Sequence, residues 1–446
     1  MEAQISKPTR FALFAMLCAM AMVASAASPY GICSHLTGGS QKEEVRARSF
    51  AAMRTAGIGM VRCDFWWTMI ERPKGTWDFS NTDAVVAEAK ALGITVLPIL
   101  DYSHGAYPHP QDDQGPWRRY VRAVAERYAS DCPVLEVWNE ENSSRFWKGG
   151  PNPTNYLSVL KSAYEEIKRV SPDTRVAVGG FAGIPFKYIE ELYKLGGGNS
   201  FDIMTIHPYC VPDAPEGRLA GERGGIQRLR AMMARYGDGE KPIWITEFGY
   251  PTNENNPEWT PDMKGYKAKL GVDETRQSIY LARALGIAFA EGVGAFLPYA
   301  LRMVPQTRYD RERHFALMHP SFAPKPAYGA YATFISMRPA GSTQKTLPYR
   351  DSKGVFFPQW RRPEGEDAGM IWTSAGWAKS ALGETCTMRL RFTADAVRFF
   401  GCDGREIYPH KDDDGLCTLE ISGSPVYFVG GELCPLALST QKQGEK

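Results

Sequence analysis

Two glutamates, Glu140 and Glu247, each stand at the end of a short hydrophobic run, where carboxyl groups can do acid–base and nucleophilic chemistry. Residues 134–138 and 241–246 are typical of buried strands, so each glutamate is expected where a strand meets solvent. Because side chains alternate faces along a strand, Glu136 and Trp138 are predicted on the same side as Glu140. Two carboxyl groups on facing walls of a cleft are what cleavage of a glycosidic bond requires. One protonates the departing oxygen, while the other attacks the anomeric carbon or activates water.

The chain around these runs alternates short apolar segments with amphipathic helical segments from residue 30 to about residue 338. Glu140 lies on the fourth predicted strand and Glu247 on the seventh. The other predicted strands cover 30–34, 60–64, 94–100, 175–178, 201–206 and 294–299, and the helices cover 42–56, 83–92, 117–129, 154–170, a segment opened by Pro185, 225–236 and 274–291. This order predicts the α/β class and a (β/α)8 TIM barrel. The long loops follow strands three, four, seven and eight, so ligand is expected there, with the carboxyl groups about 5 to 5.5 Å apart.

Composition divides the chain into four predicted parts. Residues 1–27 carry Lys7 and Arg10 ahead of an apolar run that ends in small residues, which predicts a signal peptide and a secreted protein, extracellular or periplasmic. Residues 28–338 are the predicted catalytic barrel, and the short β-prone runs within 339–440 predict a small antiparallel β-sandwich domain. Residues 441–446 are a polar tail that we expect to be disordered.

Charge and cysteine usage narrow the range of partners. The net charge is +2 and the sequence has no basic stripe, so no nucleic-acid partner is expected. The apolar run of the signal is too short for a permanent membrane anchor, so no membrane association is expected once it is removed. A secreted context permits disulfides, but Cys33, Cys63 and Cys210 lie in or beside predicted barrel strands, where free thiols are expected. The histidines show no metal-ligand spacing, so neither a metal nor another cofactor is expected.

Four short motifs resemble those of the clan A glycoside hydrolases. The segment Trp138-Asn139-Glu140-Glu141-Asn142 is similar to their Trp-Asn-Glu-Pro-Asn motif, and residues 245–249 resemble their nucleophile strand. Residues 61–71 with Gly75-Thr76-Trp77, and His207-Pro208-Tyr209, bring the resemblance nearest to family 39 and its bacterial endoglycosidase-like relatives. The resemblance implies a retaining glycosidase that acts on a β-linked poly- or oligosaccharide.

The resemblance also implies roles for individual residues. Glu140 would be the general acid and then the base, and Glu247 the nucleophile that forms a glycosyl ester. Asn139 would bind the sugar hydroxyl next to the anomeric carbon. Arg62 would keep Glu247 ionised, and the ionised Glu247 would keep Glu140 protonated. Tyr209 would hold the nucleophile through its hydroxyl, with His207 on the same strand face supporting it.

Each of these roles has an alternative. A glutamate at a strand end can be a solvated residue, Glu136 can be an interior ion-pair partner of Arg62, and Arg62 and Asp64 can form a structural pair. Glu141 stands where the related motif has proline, and it is expected to point away from Glu140. For the whole protein, the alternatives are a carbohydrate-binding barrel without turnover and a barrel hydrolase that uses a metal.

Aromatic residues in the ligand-face loops are candidates for stacking on sugar rings. About half of these candidates are expected to contact ligand, and they are Trp67, Tyr102, His104, Trp147, Trp259 and Tyr299. Trp66 and Trp77 are expected to pack instead. In the C-terminal part, Phe357, Trp360 and Trp372 are expected to be core or interdomain residues rather than a sugar platform.

Overall fold

A computed structural model describes residues 28–38, 43–72, 75–220, 225–254, 271–346, 348–374 and 385–434. The predicted signal peptide, the polar tail and Trp259 lie outside these residues. No helix within the described ranges is long and apolar enough to cross a membrane. The cysteines of the described part are free thiols, as expected for Cys33, Cys63 and Cys210.

The first two thirds of the described chain form a closed parallel barrel, which confirms the predicted fold. Its strands, numbered one to eight, are Gly31–Cys33, Met60–Asp64, Thr95–Leu100, Val134–Val137, Arg175–Ala177 with its extension Phe181–Ala182, Met204–His207, Ile243–Phe248 and Ala295–Pro298. Neighbouring strands pair in parallel. Bridges between Tyr30 and Phe296 and between Ala177 and Ile203 close the ring. The carboxyl ends of all eight strands therefore meet at one mouth.

Helices connect the strands on the outside. They are Glu43–Thr55, Trp67–Ile70, Ser80–Ala91, Gln114–Tyr128, Pro153–Val170, Phe186–Lys194, Glu216–Leu219, Ile226–Arg235, Glu274–Ala290 and Pro326–Met337. The second long helix begins at Ser80 rather than at the predicted residue 83, because the Asp78 carboxylate accepts hydrogen bonds from the backbone N–H and hydroxyl of Ser80. Asn152 caps the helix after strand four by accepting the N–H of Asn155 at 3.0 Å.

The chain after Met337 forms the predicted antiparallel β-sandwich. Within the described residues, one sheet has seven strands and the other has three. The strands are Thr343–Gln344, Val355–Phe356, Gln359–Arg361, Asp367–Thr373, Cys386–Leu390, Arg398–Phe400, Glu406–Ile407, His410–Lys411, Cys417–Ile421 and Val426–Val429. Side chains of both sheets, including Ile371, Phe428 and Leu419, bury a common hydrophobic core.

The sandwich packs against the barrel helices through buried polar and apolar contacts. The indole N–H of Trp372 donates to Glu216 Oε1 at 2.9 Å, and Arg283 pairs with the same oxygen at 2.5 Å. The indole N–H of Trp360 donates to the Met337 carbonyl at 3.0 Å. Both tryptophans are buried, so they are interdomain residues as expected and cannot form an exposed sugar platform.

Candidate active site

Glu140 reaches the barrel mouth through an irregular backbone at the end of strand four. Trp138 and Glu140 have left-handed φ values of 77° and 49°, and the Glu140 N–H donates to the Gly179 carbonyl at 2.7 Å. The strand therefore ends at Val137, and the predicted alternation does not extend beyond it. Trp138 is buried against Trp147 instead of sharing the face of Glu140, so that part of the prediction was wrong.

Glu247 lies near the end of strand seven and is held by one group from strand two and one from the segment just after strand six. Arg62 Nη1 of strand two lies 2.5 Å from Glu247 Oε1, and the Tyr209 hydroxyl donates to Oε2 at 3.0 Å. Burial alone would raise the pKa of Glu247, but the charges of His207 and Arg62 and the hydrogen bond from Tyr209 outweigh it and lower the pKa. The arrangement favours an ionised Glu247.

The contacts of Arg62 show which of the two expected ion pairs, that with Glu136 or that with Asp64, is formed. Arg62 Nε and Nη2 donate to the two oxygens of the fully buried Glu136 at 2.8 and 3.1 Å. Glu136 is therefore the interior ion-pair partner of Arg62. Asp64 instead lies 2.7 Å from His35 Nδ1, so the suggested structural pair of Arg62 and Asp64 is not formed.

A chain of hydrogen bonds places a proton beside Glu140. The Thr246 hydroxyl donates to Glu136 Oε1 at 3.4 Å, so it accepts from His207 Nε2, which lies 3.0 Å away. His207 Nδ1 then faces Glu140 Oε1 at 3.0 Å, and one proton must lie between them. On Glu140 this proton makes an acid. On His207 it makes a cation 3.7 Å from Glu247 Oε2.

The two glutamates converge on one pocket. Single side-chain atoms of Glu140, His207 and Glu247 lie within 4.8 Å of one another. Two carboxylate oxygens and a ring nitrogen could also ligate a cation. The carboxylate of Glu247, however, already has the guanidinium of Arg62 as a counter-ion.

A cleft of about 430 Å³ opens above this pair, a volume in the usual range for small-molecule sites. Of the predicted binding residues, Arg62, Tyr102, Asn139, Tyr209 and Tyr299 line it. Two hydrogen bonds fix the amide of Asn139. Its Oδ1 accepts from Arg62 Nη2 at 2.8 Å, and its Nδ2 donates to the Tyr102 hydroxyl at 3.2 Å. His207 lies beneath the cleft, fully buried, and contacts Glu140 at 3.0 Å.

Trp67, His104 and Trp147 do not line this cleft, and predicting them as binding residues was wrong. The four-residue helix that begins at Trp67 turns its indole into the core, where it stacks on Tyr107 and donates to Glu71 Oε2 at 2.7 Å. His104 is buried against the same indole and contacts the Glu71 carbonyl. Trp147 is buried against Trp138.

Several residues that line the cleft were not predicted to do so: Trp66, which was expected to pack, His35, Arg145, Phe146, Arg311 and Glu312. A signal was available for His35, since it follows strand one by two residues at the same mouth. Glu141 is fully buried outside the cleft lining, and within the described chain neither of its carboxylate oxygens has a hydrogen-bond partner. Burial raises the pKa of Glu141, which favours the neutral form.

Comparison with known proteins identifies the class to which this fold and site belong. The family model described as Cellulase (glycosyl hydrolase family 5) matches residues 26–278, more than half of the chain. The chain therefore belongs to this family of glycoside hydrolases. The match confirms the resemblance to clan A that the four motifs indicated.

Individual relatives agree with this class. The chain is 22% identical over 295 residues to a β-xylosidase of Geobacillus stearothermophilus. The aligned region covers 59% of this chain and 52% of the relative, so this chain spans about half of that relative's length. A family 39 glycoside hydrolase from Bacteroides cellulosilyticus WH2 has a similar fold, with a TM-score of 0.74, 22% identity and coverage of 90% of this chain and 80% of that one. A family 39 β-xylosidase from Caulobacter crescentus matches with a TM-score of 0.62 and 16% identity over 90% and 96% of the two chains.

Proposed function

We propose that this protein is a secreted, retaining glycoside hydrolase that cleaves a β-linked polysaccharide or oligosaccharide by double displacement. The observation that carries the proposal is the approach of Glu140 and Glu247, since one carboxylate oxygen of each lies within 4.8 Å of one carboxylate oxygen of the other. Retaining enzymes hold their carboxyl groups about 5 to 5.5 Å apart, whereas inverting enzymes need about 6.5 to 9.5 Å to admit water.

In the first step, a carboxylate oxygen of Glu247 attacks the anomeric carbon from one face of the sugar. The bond from that carbon to the leaving oxygen breaks, and Glu140 gives its proton to that oxygen. The product is a glycosyl ester on Glu247. In the second step, Glu140 takes a proton from water, the water oxygen bonds to the anomeric carbon, and Glu247 leaves as a carboxylate.

The surrounding residues support these two roles. Arg62 and Tyr209 hold Glu247 in the ionised form that a nucleophile needs. When it lies on Glu140, the proton between His207 and Glu140 supplies the acid. The Asn139 amide is fixed by Arg62 and Tyr102, and we assign it to the sugar hydroxyl next to the anomeric carbon, a contact that strengthens in the transition state.

The cellular location and the sugar rest on weaker support. Secretion is proposed from residues 1–27 of the sequence alone. Two relatives carry the name β-xylosidase, so β-xylosides are the first substrates to try.

The test is hydrolysis of a panel containing xylan, β-glucans, mannan, bacterial exopolysaccharides and the 4-nitrophenyl β-glycosides of the common sugars. Release of sugar by the wild-type protein, with retained anomeric configuration observed by NMR, is the expected result. A 2-fluoro glycoside of the responding sugar should label Glu247, as read by peptide mass spectrometry. Binding without hydrolysis would favour the non-catalytic carbohydrate-binding barrel, and activity lost to a chelator and restored by metal would favour a metal-dependent hydrolase.

A further inference from the structure

An ion pair joins two opposite walls of the barrel mouth. Arg145 Nη1 lies 3.6 Å from Glu312 Oε2, and both residues line the catalytic cleft. Arg145 belongs to the loop after strand four, and Glu312 belongs to the short 3-10 helix Arg311–His314 in the loop after strand eight. In a closed ring of eight strands, the fourth and the eighth lie on opposite sides. The pair therefore spans the mouth from one wall to the other.

This ion pair lies nearer to solvent than the two glutamates beneath it. The side chains of Arg145 and Glu312 are 66% and 45% exposed, whereas those of Glu140 and Glu247 are 16% and 13% exposed. All four residues line the same cleft. A substrate that approaches the glutamates from the mouth therefore passes the ion pair on its way in.

Each partner of the pair is supported on its own wall. The Tyr299 hydroxyl donates to Glu312 Oε1 at 3.3 Å, which leaves Oε2 for Arg145. The guanidinium of Arg145 lies 5.0 Å from the ring centroid of Phe146, and Phe146 stacks on Tyr102 at 6.0 Å. The two supports remain in place when the central contact breaks. An exposed ion pair contributes little and is screened by salt, so this contact can open and close readily.

We propose that Arg145 and Glu312 form a gate that selects substrates by length. A short glycoside reaches the glutamates beside the closed ion pair, whereas a long oligosaccharide, which extends beyond the cleft, enters only when the pair is open. The proposal rests on the function proposed above. It makes Arg145 and Glu312 specificity-determining residues that take no part in the chemical step.

The test compares two neutral substrates of the sugar to which the panel responds. The length ratio is kcat/KM for a long oligosaccharide divided by kcat/KM for the 4-nitrophenyl monoglycoside, so an effect on the chemical step that both substrates share cancels. Arg145→Gln and Glu312→Gln each remove one charge of the pair and retain a polar side chain. Each should raise the length ratio by about two- to fivefold, the range that an exposed ion pair supplies.

The double variant and the salt dependence show whether the ion pair itself is responsible. Because either substitution already breaks the pair, the double variant should raise the length ratio no further than each single variant does. Raising NaCl from about 20 mM to about 0.5 M should raise the ratio for the wild-type protein but not for Arg145→Gln. Arg235→Gln is the matched control, since it breaks an exposed pair with Glu190 at 3.1 Å between two outer helices, and it should leave the ratio unchanged.

The outcomes distinguish the gate from the function on which it rests. A protein that neither hydrolyses nor binds any carbohydrate of the panel would contradict the proposed function and, with it, the gate. Hydrolysis with the same length ratio in the wild type and all three variants, whether measurable or zero, would overturn the gate alone, and so would single effects that add in the double variant. If the protein binds the long oligosaccharide without hydrolysing it, the association rate constant replaces the ratio, and a rate constant that no variant changes would overturn the gate.

Discussion

The two walls of the cleft surround their glutamates in opposite ways. On one wall, Glu247 is met by the guanidinium of Arg62 at 2.5 Å, the hydroxyl of Tyr209 at 3.0 Å and the ring of His207 at 3.7 Å. On the other wall, the hydrogen-bonding partner that the structure describes for the Glu140 carboxyl is His207 alone, at 3.0 Å. The two glutamate side chains are identical, but their neighbours give them different hydrogen bonds and different nearby charges.

The difference fits the roles of nucleophile and acid that we propose for Glu247 and Glu140. Donors and positive charge favour the ionised form of a carboxyl group, and a nearby negative charge favours the protonated form of its neighbour. Glu247 has the donors and the positive charge, which lower its pKa, and Glu140 lacks the contact with Arg62 and Tyr209. Because His207 contacts both, it couples their charges, and changes on either wall are expected to affect the other.

Removing the nucleophile should have the largest effect on this contrast. Glu247→Gln should lower kcat by about 10⁴- to 10⁶-fold, the range seen when a nucleophile is removed. Glu247→Ala should recover activity with azide and give a glycosyl azide of inverted configuration, because azide replaces the lost side chain on the same face. Glu165→Gln, on the exposed surface of a helix, is the control. Recovery with retained configuration would assign the nucleophile to another residue.

Changing the acid should produce a smaller loss that depends on the leaving group. Glu140→Gln cannot donate a proton, so hydrolysis of a natural glycoside should fall by about 10²- to 10⁴-fold. A dinitrophenyl glycoside leaves without protonation, so its first step should change little, as measured by the burst of released phenol. Equal losses for both leaving groups would contradict the role of Glu140 as acid.

Arg62 links the nucleophile wall to the barrel interior, so its loss should affect both activity and stability. Arg62→Met leaves Glu136 and Glu247 without their cation, which should lower the free energy of unfolding by about 3–5 kcal/mol, measured in urea. Activity should fall about 10²-fold or more. The matched control is Arg235→Met, which breaks an exposed pair with Glu190 and should cost less than about 1 kcal/mol.

The smallest effect should come from Tyr209, and it should appear in the pH profile. The hydrogen bond from Tyr209 helps to lower the pKa of Glu247, so Tyr209→Phe should raise that pKa. Because Glu247 must be ionised, the acid limb of kcat/KM should move to higher pH, with about a tenfold loss at the optimum. Tyr236→Phe, on the surface, should leave the profile unchanged. An acid limb that stays in place in Tyr209→Phe would show that the hydroxyl does not control Glu247.

Much of this contrast could be predicted because it is built on strands. A barrel strand has a fixed direction and alternating faces, so Arg62, Glu136 and Glu247 follow from position along the chain, whereas Tyr209 lies two residues beyond the end of strand six. The strand bounds agreed closely for the same reason. The order of the four motifs along the chain then linked these positions to the cleavage of a glycosidic bond.

The loops were less predictable because neither alternation nor hydrophobic period determines them. Trp66 and Trp67 are adjacent and chemically identical, yet one lines the cleft and the other is buried. A four-residue helix decides between them, and its first N–H, that of Trp67, donates to the Asp101 carbonyl at 2.7 Å, a contact between distant segments. The position of the Glu140 side chain depends on left-handed backbone angles at Trp138 and Glu140, which the residue types do not predict.

The junction between barrel and sandwich has a consequence for anyone who wishes to isolate the catalytic part. Gly286 lies so close to strand Asp367–Thr373 that an added Cβ would meet Met370 Sδ at 2.7 Å, and Trp372 completes the environment of Glu216 and Arg283. A chain truncated after residue 338 would expose this apolar helix surface to water and leave Glu216 short of a donor. We therefore expect the two domains to melt in a single cooperative transition, and the shortened barrel to aggregate rather than work alone.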